Sequence, residues 1–301
     1  MRHVPVLMAE VLEGLNIHPG DNVIDCTLGD AGHAEAVLKK NAPDGKLLGI
    51  DTDPEALLSA KQFLYSSEDR TVFARSNFVH IIDIVKNTGF GPVNGILMDF
   101  GWSTPQFEQR GRGFSFSNED EPLDMRYSKD SDQKTAAMIL AEIEKEELID
   151  IFATYGEEKL SKDIAEAIIE KRKEEAIETV KHLVDIVLAV YRKKLRTEKE
   201  VPWVGGLHPA TKVFQALRIA VNEELDVIKR VLPDALEVLA PGGRLAVISF
   251  HSLEDRLVKH FFKSQQKQIR IITKKPVIAS DEESRENPRS RSAKLRVVEK
   301  I

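Results

Sequence analysis

Three aspartates end short apolar runs in the first hundred residues: Asp25 in NVIDCTLG, Asp51 in KLLGIDTD and Asp99 in VNGILMDFG. An apolar run that closes on an acid reads as a strand delivering a carboxylate to its carboxyl end. That edge of a parallel sheet is where α/β folds bind ligands. Asp51 stands 22 residues after Gly29, close to the spacing at which an acid accepts hydrogen bonds from both hydroxyls of a ribose. The same charge would repel a 2′-phosphate. Asp53 has a simpler role: it precedes Pro54, which suits a first helical turn, so Asp53 is the expected N-cap.

The stretch DCTLGDAGH leaves the first strand and enters a helix, so small residues let the backbone approach a ligand at a helix N-terminus. Its Gly29-x-x-Gly32 spacing is not the dinucleotide fingerprint G-x-G-x-x-G, which weighs against a nicotinamide cofactor. A ribose grip without a demanding phosphate cradle points to S-adenosylmethionine.

Two further stretches carry polar chemistry. After Asp99 the chain opens into GWSTPQFEQRGRGFSF, where Arg110, Arg112, Phe114 and Phe116 interleave cations with aromatics, as suits a single-stranded or flipped base. SFHSLEDR brings Ser, His and Asp together, but there is no G-x-S-x-G elbow and sequence neighbours seldom form a triad. Ser252 is instead the expected helix N-cap, with Asp255 reaching back. His251, at a strand's carboxyl end, faces the target base on one reading and is a structural histidine on the other. Gln215 and Arg218 stand apart from the apolar periodicity of their helix and are expected to face the substrate cleft. No histidine pair has metal spacing, so no metal is expected.

These residues need a frame. Helical patterns at 32–40, 54–65 and 78–87 separate the first three apolar runs and TVFARSN, implying βαβ units and a parallel sheet. The alternation stops at 117, and residues to about 200 are helical in pattern. One long amphipathic helix is then expected, with Phe214, Leu217, Val221, Leu225, Ile228 and Leu232 on one stripe. A fifth strand, GGRLAVISF, follows a Pro-Gly-Gly turn, a helix begins near Leu253, and IRIITK and KLRVVEK close the sheet. The expected fold is α/β: a class I methyltransferase (Rossmann-like), mostly parallel seven-stranded sheet with an inserted all-helical domain. Residues 1–108 and 206–301 are assigned to the core and 109–205 to the insertion.

Composition narrows the setting. The 301 residues, 42% hydrophobic and 31% charged, suit a soluble globular chain with room for two domains. No apolar run approaches the roughly 20 residues of a membrane span, and Pro5 and Glu10 interrupt any leader-like block. The single cysteine, Cys26, excludes an internal disulfide and suits a reducing cytoplasm. A net charge of −6 means that contacts to nucleic acid must be local. They are expected between Ser284 and Lys300, where six basic residues face two acidic ones.

The chain resembles the bacterial family of 16S ribosomal RNA cytosine-N4 methyltransferases, from His3 nearly to the C-terminus. The matching stretches are HVPVLMAEVL, DCTLGDAGH, GIDTDP, DFGWSTPQ, RGFSF with LDMR, YGEE, HPATKVFQALRIAVNEEL, GGRLAVISFHSLEDRLVK and NPRSRSAKLR. The resemblance implies S-adenosylmethionine contacts at Ala31, Gly32, His33, Asp51, Phe78, Asp99 and Gln106. It implies Asp99, Ser103 and Gln106 as the polar groups at the methyl-accepting centre, where His251 is added from its place at a strand end, and 16S rRNA within the 30S subunit or a late assembly intermediate as partner. The insertion is expected to help dock that substrate. The family usually has Gly where this chain has Ala31, so a negative φ is expected there. Trp102 and Thr104 also depart from the family pattern. Two rivals stand beside this reading: a ribosome-assembly module without catalysis on a methyltransferase scaffold, and a Rossmann-type NAD-dependent dehydrogenase.

Overall fold

The computed structural model describes residues 4–101, 111–128, 132–199, 201, 203–204 and 206–301. The chain divides into two compact units, one made of residues 1–103 and 225–301 and the other of residues 104–224.

The first unit is built on one sheet. Five strands run parallel: β1 (Val23–Asp25), β2 (Leu47–Asp51), β3 (Thr71–Arg75), β4 (Val93–Asp99) and β5 (Leu239–Ser249). The short strands β6 (Ile269–Ile271) and β7 (Val277–Ile278) pair antiparallel with β8 (Lys294–Lys300), which itself lies antiparallel beside β5. The order is β3-β2-β1-β4-β5-β8-β6, with β7 added on β8. This is the class I methyltransferase arrangement expected from the alternation of apolar runs, plus a two-residue strand too short to read from sequence. The fifth strand starts earlier than its Pro-Gly-Gly motif suggested. Leu239 pairs with Val93, and the register shifts before Arg244 pairs with Gly95.

Helices cover both faces. α1 (Met8–Leu15), α2 (Gly32–Lys40) and α3 (Pro54–Phe63) turn Val11, Leu15, Val37, Leu38 and Leu57 into one core layer. α4 (Ile81–Thr88) packs Ile81 and Ile84 into the layer on the other face. The strands alternate between the two: Ile24, Ile96 and Met98 join one layer, Val23 and Leu97 the other, as the two-residue strand period requires.

The second unit is helical among its described residues: α5 (Ala136–Glu142), α6 (Lys145–Thr154), α7 (Ser161–Lys171), α8 (Val180–Leu195) and α9 (Thr211–Asn222). Leu140, Leu148, Phe152, Ile164, Ile168, Leu183 and Val187 form its core.

Two expectations about chain organisation are corrected. The single long helix is two, α9 and α10 (Glu224–Val238), because Glu223 takes the left-handed conformation at φ 50°. Its apolar stripe also serves two cores: Phe214, Leu217 and Val221 pack in the second unit, Ile228 and Leu232 in the first. For the same reason residues 206–224, assigned from sequence to the methyltransferase core, belong to the helical unit, which runs from Thr104 to Glu224.

Candidate active site

The parallel strands β2, β1 and β4 are neighbours, so Asp51, Asp25 and Asp99 stand side by side at their carboxyl ends. Thr27 ties two of them together. Its backbone N–H donates to Asp25 Oδ1 at 3.1 Å, and its Oγ1 accepts from the Asp99 N–H at 2.9 Å. The sequence grouped Asp25 with Asp51 and Asp99 at the strand ends but gave it no role; the Thr27 contacts tie it to Asp99.

Burial dominates the electrostatics. Asp25 and Asp99 are each pushed up to about 7, chiefly by loss of water; repulsion from Asp51 adds to the rise at Asp25, and repulsion from Asp25 adds to it at Asp99. Glu254 adds to the repulsion at Asp99, while the Gly101 N–H, 2.8 Å from Asp99 Oδ1, partly opposes it. Asp51 is also raised by burial, against backbone N–H groups that hold it down. A buried carboxyl balanced near neutrality can accept a proton at working pH.

Asp51 is positioned by its backbone surroundings. Oδ2 accepts from Gly29 N–H and Oδ1 from Asp53 N–H, both at 2.9 Å. Each oxygen has a second lone-pair site for a diol. Asp53 is the N-cap of α3 as expected, accepting from Glu55 N–H at 3.0 Å with Pro54 at the first helical position. Phe78 starts a short 3-10 turn after β3 and stacks on Phe100, ring centroids 6.3 Å apart. Phe100 was not identified from the sequence, since one aromatic beside a strand end looks like core.

The loop before α2 contradicts one expectation. Ala31 does not have a negative φ; it lies in the left-handed region at φ 59° and ψ 27°. The turn that sends the chain from β1 into α2 demands this geometry whichever residue occupies it. Ala31 N–H donates to Leu28 O and Glu35 N–H to Ala31 O. Gly32 follows with no room for a side chain, since an added Cβ would sit 2.2 Å from Pro5 Cγ. The N-terminal segment Val4–Leu7 therefore lies directly on this loop. Val6 O accepts from His33 Nε2 at 3.0 Å, and His33 Nδ1 faces Asp99 Oδ2 at 4.0 Å.

That segment is tied down from the far end of the chain. Leu7 N–H donates to Glu283 Oε1 at 2.8 Å, and Asn287 Nδ2 donates to Val4 O at 3.0 Å. Glu283 lies on α12 (Asp281–Glu286), and Asn287 precedes the 3-10 turn Pro288–Ser292. Ser290, buried inside the Arg-Ser run, donates its hydroxyl to Asn287 O. The run is thus an ordered element. Some of its cations are committed: Arg296 forms a buried pair with Asp255, and Lys300 bonds the carbonyls of Glu237 and Leu239.

His251 ends the β5 exit, and the structure corrects the cap that follows. His251, not Ser252, is the N-cap of α11 (Ser252–Ser264). Its Nδ1 accepts from Glu254 N–H at 3.4 Å, and Glu254 Oε2 accepts from His251 N–H at 3.2 Å. Asp255 does not reach back because Arg296 holds it. Buried Glu254 also accepts from Phe250 N–H at 2.7 Å and meets His251 Nε2 at 3.0 Å.

Ser103, Gln106, Arg110, Trp102 and Thr104 lie outside the described residues. Other sequence-identified groups turn out to be framework of the helical unit. Arg112 is buried and donates to the carbonyls of Arg126 and Tyr127. Phe114 stacks on Tyr127, and Phe116 on His208. Gln215 and Arg218 do not stand free for a substrate: Gln215 donates to Tyr155 O, and Arg218 forms a two-pronged pair with Glu224. Glu158 of the YGEE stretch accepts from Tyr191 OH inside the unit.

A family model described as the MraW methylase family matches residues 1–301. A relative from Symbiobacterium thermophilum, named Ribosomal RNA small subunit methyltransferase H, is 44% identical over 99% of this chain and 96% of its own length. A relative of the same name from Heliobacterium modesticaldum is 45% identical over 99% of this chain and 98% of its own. With a full-length family match and relatives at this identity, the chain belongs to the MraW methylase family.

Proposed function

We propose that the protein transfers a methyl group from S-adenosylmethionine to the N4 amine of a cytosine in 16S rRNA, acting in the cytoplasm on the 30S subunit or a late assembly intermediate. One observation carries the chemistry: Asp99 stands largely desolvated at the carboxyl end of β4, its side chain 16% exposed and raised to about 7, beside the loop and acid that suit a nucleoside.

The residues present fit the cofactor. Asp51 keeps acceptor sites for the ribose hydroxyls, the Phe78–Phe100 stack offers an apolar surface for a purine, and Ala31, Gly32 and His33 bring backbone to the site at a helix N-terminus. The sequence resemblance assigns Gln106 to the same group and Ser103 to the methyl-accepting centre. When bound, S-adenosylmethionine supplies a sulfonium methyl that is electrophilic without further activation.

The protein's task is the acceptor. The N4 lone pair of cytosine is delocalised into the ring and is a poor nucleophile. Asp99 accepts a hydrogen bond from the amine, localises the lone pair, and takes the proton as the nitrogen–methyl bond forms and the sulfur–methyl bond breaks. Orientation supplies much of the remainder, roughly 7–11 kcal/mol where alignment is good. His251 borders this centre as a helix cap and contributes by shaping the β5 exit. The helical unit supports docking of the RNA.

The test is transfer from labelled S-adenosylmethionine to unmodified 30S subunits, followed by digestion to nucleosides and mass analysis. N4-methylcytidine is the expected product. Tight cofactor binding with no transfer to any assembly state would instead favour a scaffold without catalysis.

A further inference from the structure

The helical unit has a surface that its own packing does not explain. Trp203 is 66% exposed, and Val204 and Leu207 beside it are exposed at 44% and 43%. Single exposed apolar residues are ordinary; the mounting of this one is not. The indole meets the His208 ring edge-on, with centroids 6.4 Å apart at 80°. His208 stacks flat on Phe116 at 4.4 Å and 8°, and Phe116 meets Phe214, a core residue of α9, edge-on at 6.2 Å. Val204 and Leu207 exchange both backbone hydrogen bonds, at 2.8 and 3.2 Å, around a turn in which Gly206 takes φ 81°. Burial keeps His208 toward its neutral form, so the ladder of rings carries little charge of its own. The result is a large aromatic face held out in water by a stack anchored in the core.

Cations lead up to it. α8 ends in Arg192, Lys193 and Lys194, and Arg196 and Lys199 follow, all five exposed. Several lysines of the unit are held by carboxylates: Lys171 has Glu174 and Glu175, Lys173 has Glu170, and Lys181 has Asp185. Among the described residues none of these five has such a partner. A helix C-terminus favours nearby cations, but that effect fades within the last turn and does not reach Lys199. Lys199 is four residues from Trp203, so its backbone lies within about 14 Å of the indole's. Glu198 and Glu200 offset Arg196 and Lys199 along the connection, so the net positive charge is concentrated on Arg192, Lys193 and Lys194 at the end of α8. A cationic helix end followed in the chain by a rigid aromatic face is a combination that binds single-stranded nucleic acid, phosphates on the charges and a base on the ring.

We propose that Trp203 and the basic end of α8 form a docking site for single-stranded RNA, separate from the residues that carry the methyl transfer. This rests on the RNA-methylating reading and adds the surface that receives the strand. The protein contains two tryptophans, so Trp102→Phe leaves Trp203 as sole fluorescent reporter. Titration with an unstructured oligoribonucleotide should quench that emission saturably. Charge reversal of Arg192, Lys193 and Lys194 to Glu should weaken binding more than tenfold and lower the log–log salt slope by about 2, as loss of three single-strand phosphate contacts requires. With 30S subunits, Trp203→Ala should raise KM several-fold at unchanged kcat, and Trp203→Phe should restore part of it.

No quenching by the oligonucleotide, together with an unmoved KM in the charge-reversed protein, would overturn the site while the methylation reading stood. Quenching that follows protein concentration and not RNA would overturn it in favour of an interface between two copies. Saturable quenching by RNA in a protein that methylates no subunit would support the site and remove the activity reading.

Discussion

The His33 ring bridges the N-terminal segment and the reaction centre: Nε2 donates to the Val6 carbonyl at 3.0 Å, and Nδ1 faces Asp99 Oδ2 at 4.0 Å. A carbonyl oxygen can only accept, so a hydrogen sits on Nε2, and Nδ1 is turned toward the acid. The ring's orientation depends on Val6, and the Val4–Leu7 segment depends on Glu283 and Asn287. Each of those bonds contributes on the order of 1 kcal/mol. Glu283→Ala and Asn287→Ala should each raise the Kd for S-adenosylmethionine about 3–10-fold, read by calorimetry. Glu283→Gln keeps an acceptor for the Leu7 N–H and should restore most of the affinity. Equal loss in the Ala and Gln variants would mean that charge matters and the tether does not.

The pH behaviour of the paired acids has a definite sign. In the proposed mechanism Asp99 takes the proton in its ionised form, so kcat/KM should rise with pH and level off above about 7. Asp25 raises Asp99 by repulsion, so Asp25→Asn should move the acid limb of the profile to lower pH. Asp99→Asn should cut kcat by about 10²-fold or more at saturating cofactor, in the range of a lost general base, whatever it costs in cofactor Kd. An unshifted limb in Asp25→Asn would separate the two carboxyls functionally.

The same shifts set the stability profile. The folded values near 7 lie above the ordinary carboxylate value of 3.8, so between those limits the native state binds more protons than the unfolded chain. Stability therefore falls as pH rises through that window and is flat above it. Asp25→Asn retains an acceptor for Thr27 N–H and should flatten the fall. Thermal unfolding at pH 5 and pH 8 would show it: wild type loses more Tm between the two than the variant.

Gly101 sets the direction of Asp99. A Cβ at this position would lie 2.4 Å from the Phe250 ring and 2.7 Å from Asp99 Oδ1. Gly101→Ala must push one of them aside and so disturb the carboxylate. A misplacement of about 1 Å costs on the order of 10²-fold in rate. Turnover should drop by about that factor while thermal stability changes much less.

Ala31 holds a conformation that costs an L-residue about 1–2 kcal/mol, at φ 59°. Ala31→Gly removes that cost but makes the unfolded chain looser by about 0.5–1 kcal/mol. The balance favours Gly by about 0.5–1 kcal/mol. Thermal unfolding should show a small rise in Tm, and a fall would mean the loop does not hold this geometry in solution.

Much of the frame was legible because strand and helix periods are local. The apolar runs closing on Asp25, Asp51 and Asp99, and the Asp53–Pro54 helix start, are patterns within a few residues, and the structure keeps them all. Ala31 was misread because its φ is imposed by a turn that must bring α2 back over the sheet, and side-chain type alone does not reveal that demand. The break at Glu223 was invisible because one apolar stripe runs unbroken through two helices that feed different cores. Arg218, Gln215 and Arg112 looked available because a cation or amide off the apolar stripe carries no sign of the carboxylate or carbonyl that will meet it.

The sequence by itself therefore determined the elements, the acids at the strand ends and, through its motifs, the family. Only the tertiary structure decided which polar groups meet: Glu283 with Leu7 across 276 residues, Arg296 with Asp255 across 41, His33 with Val6 across 27. Periodicity describes the neighbours of a residue along its own strand or helix. Hydrogen-bond partners and loss of water are set by whichever segments the fold lays together, and those two effects orient His33 and raise Asp99.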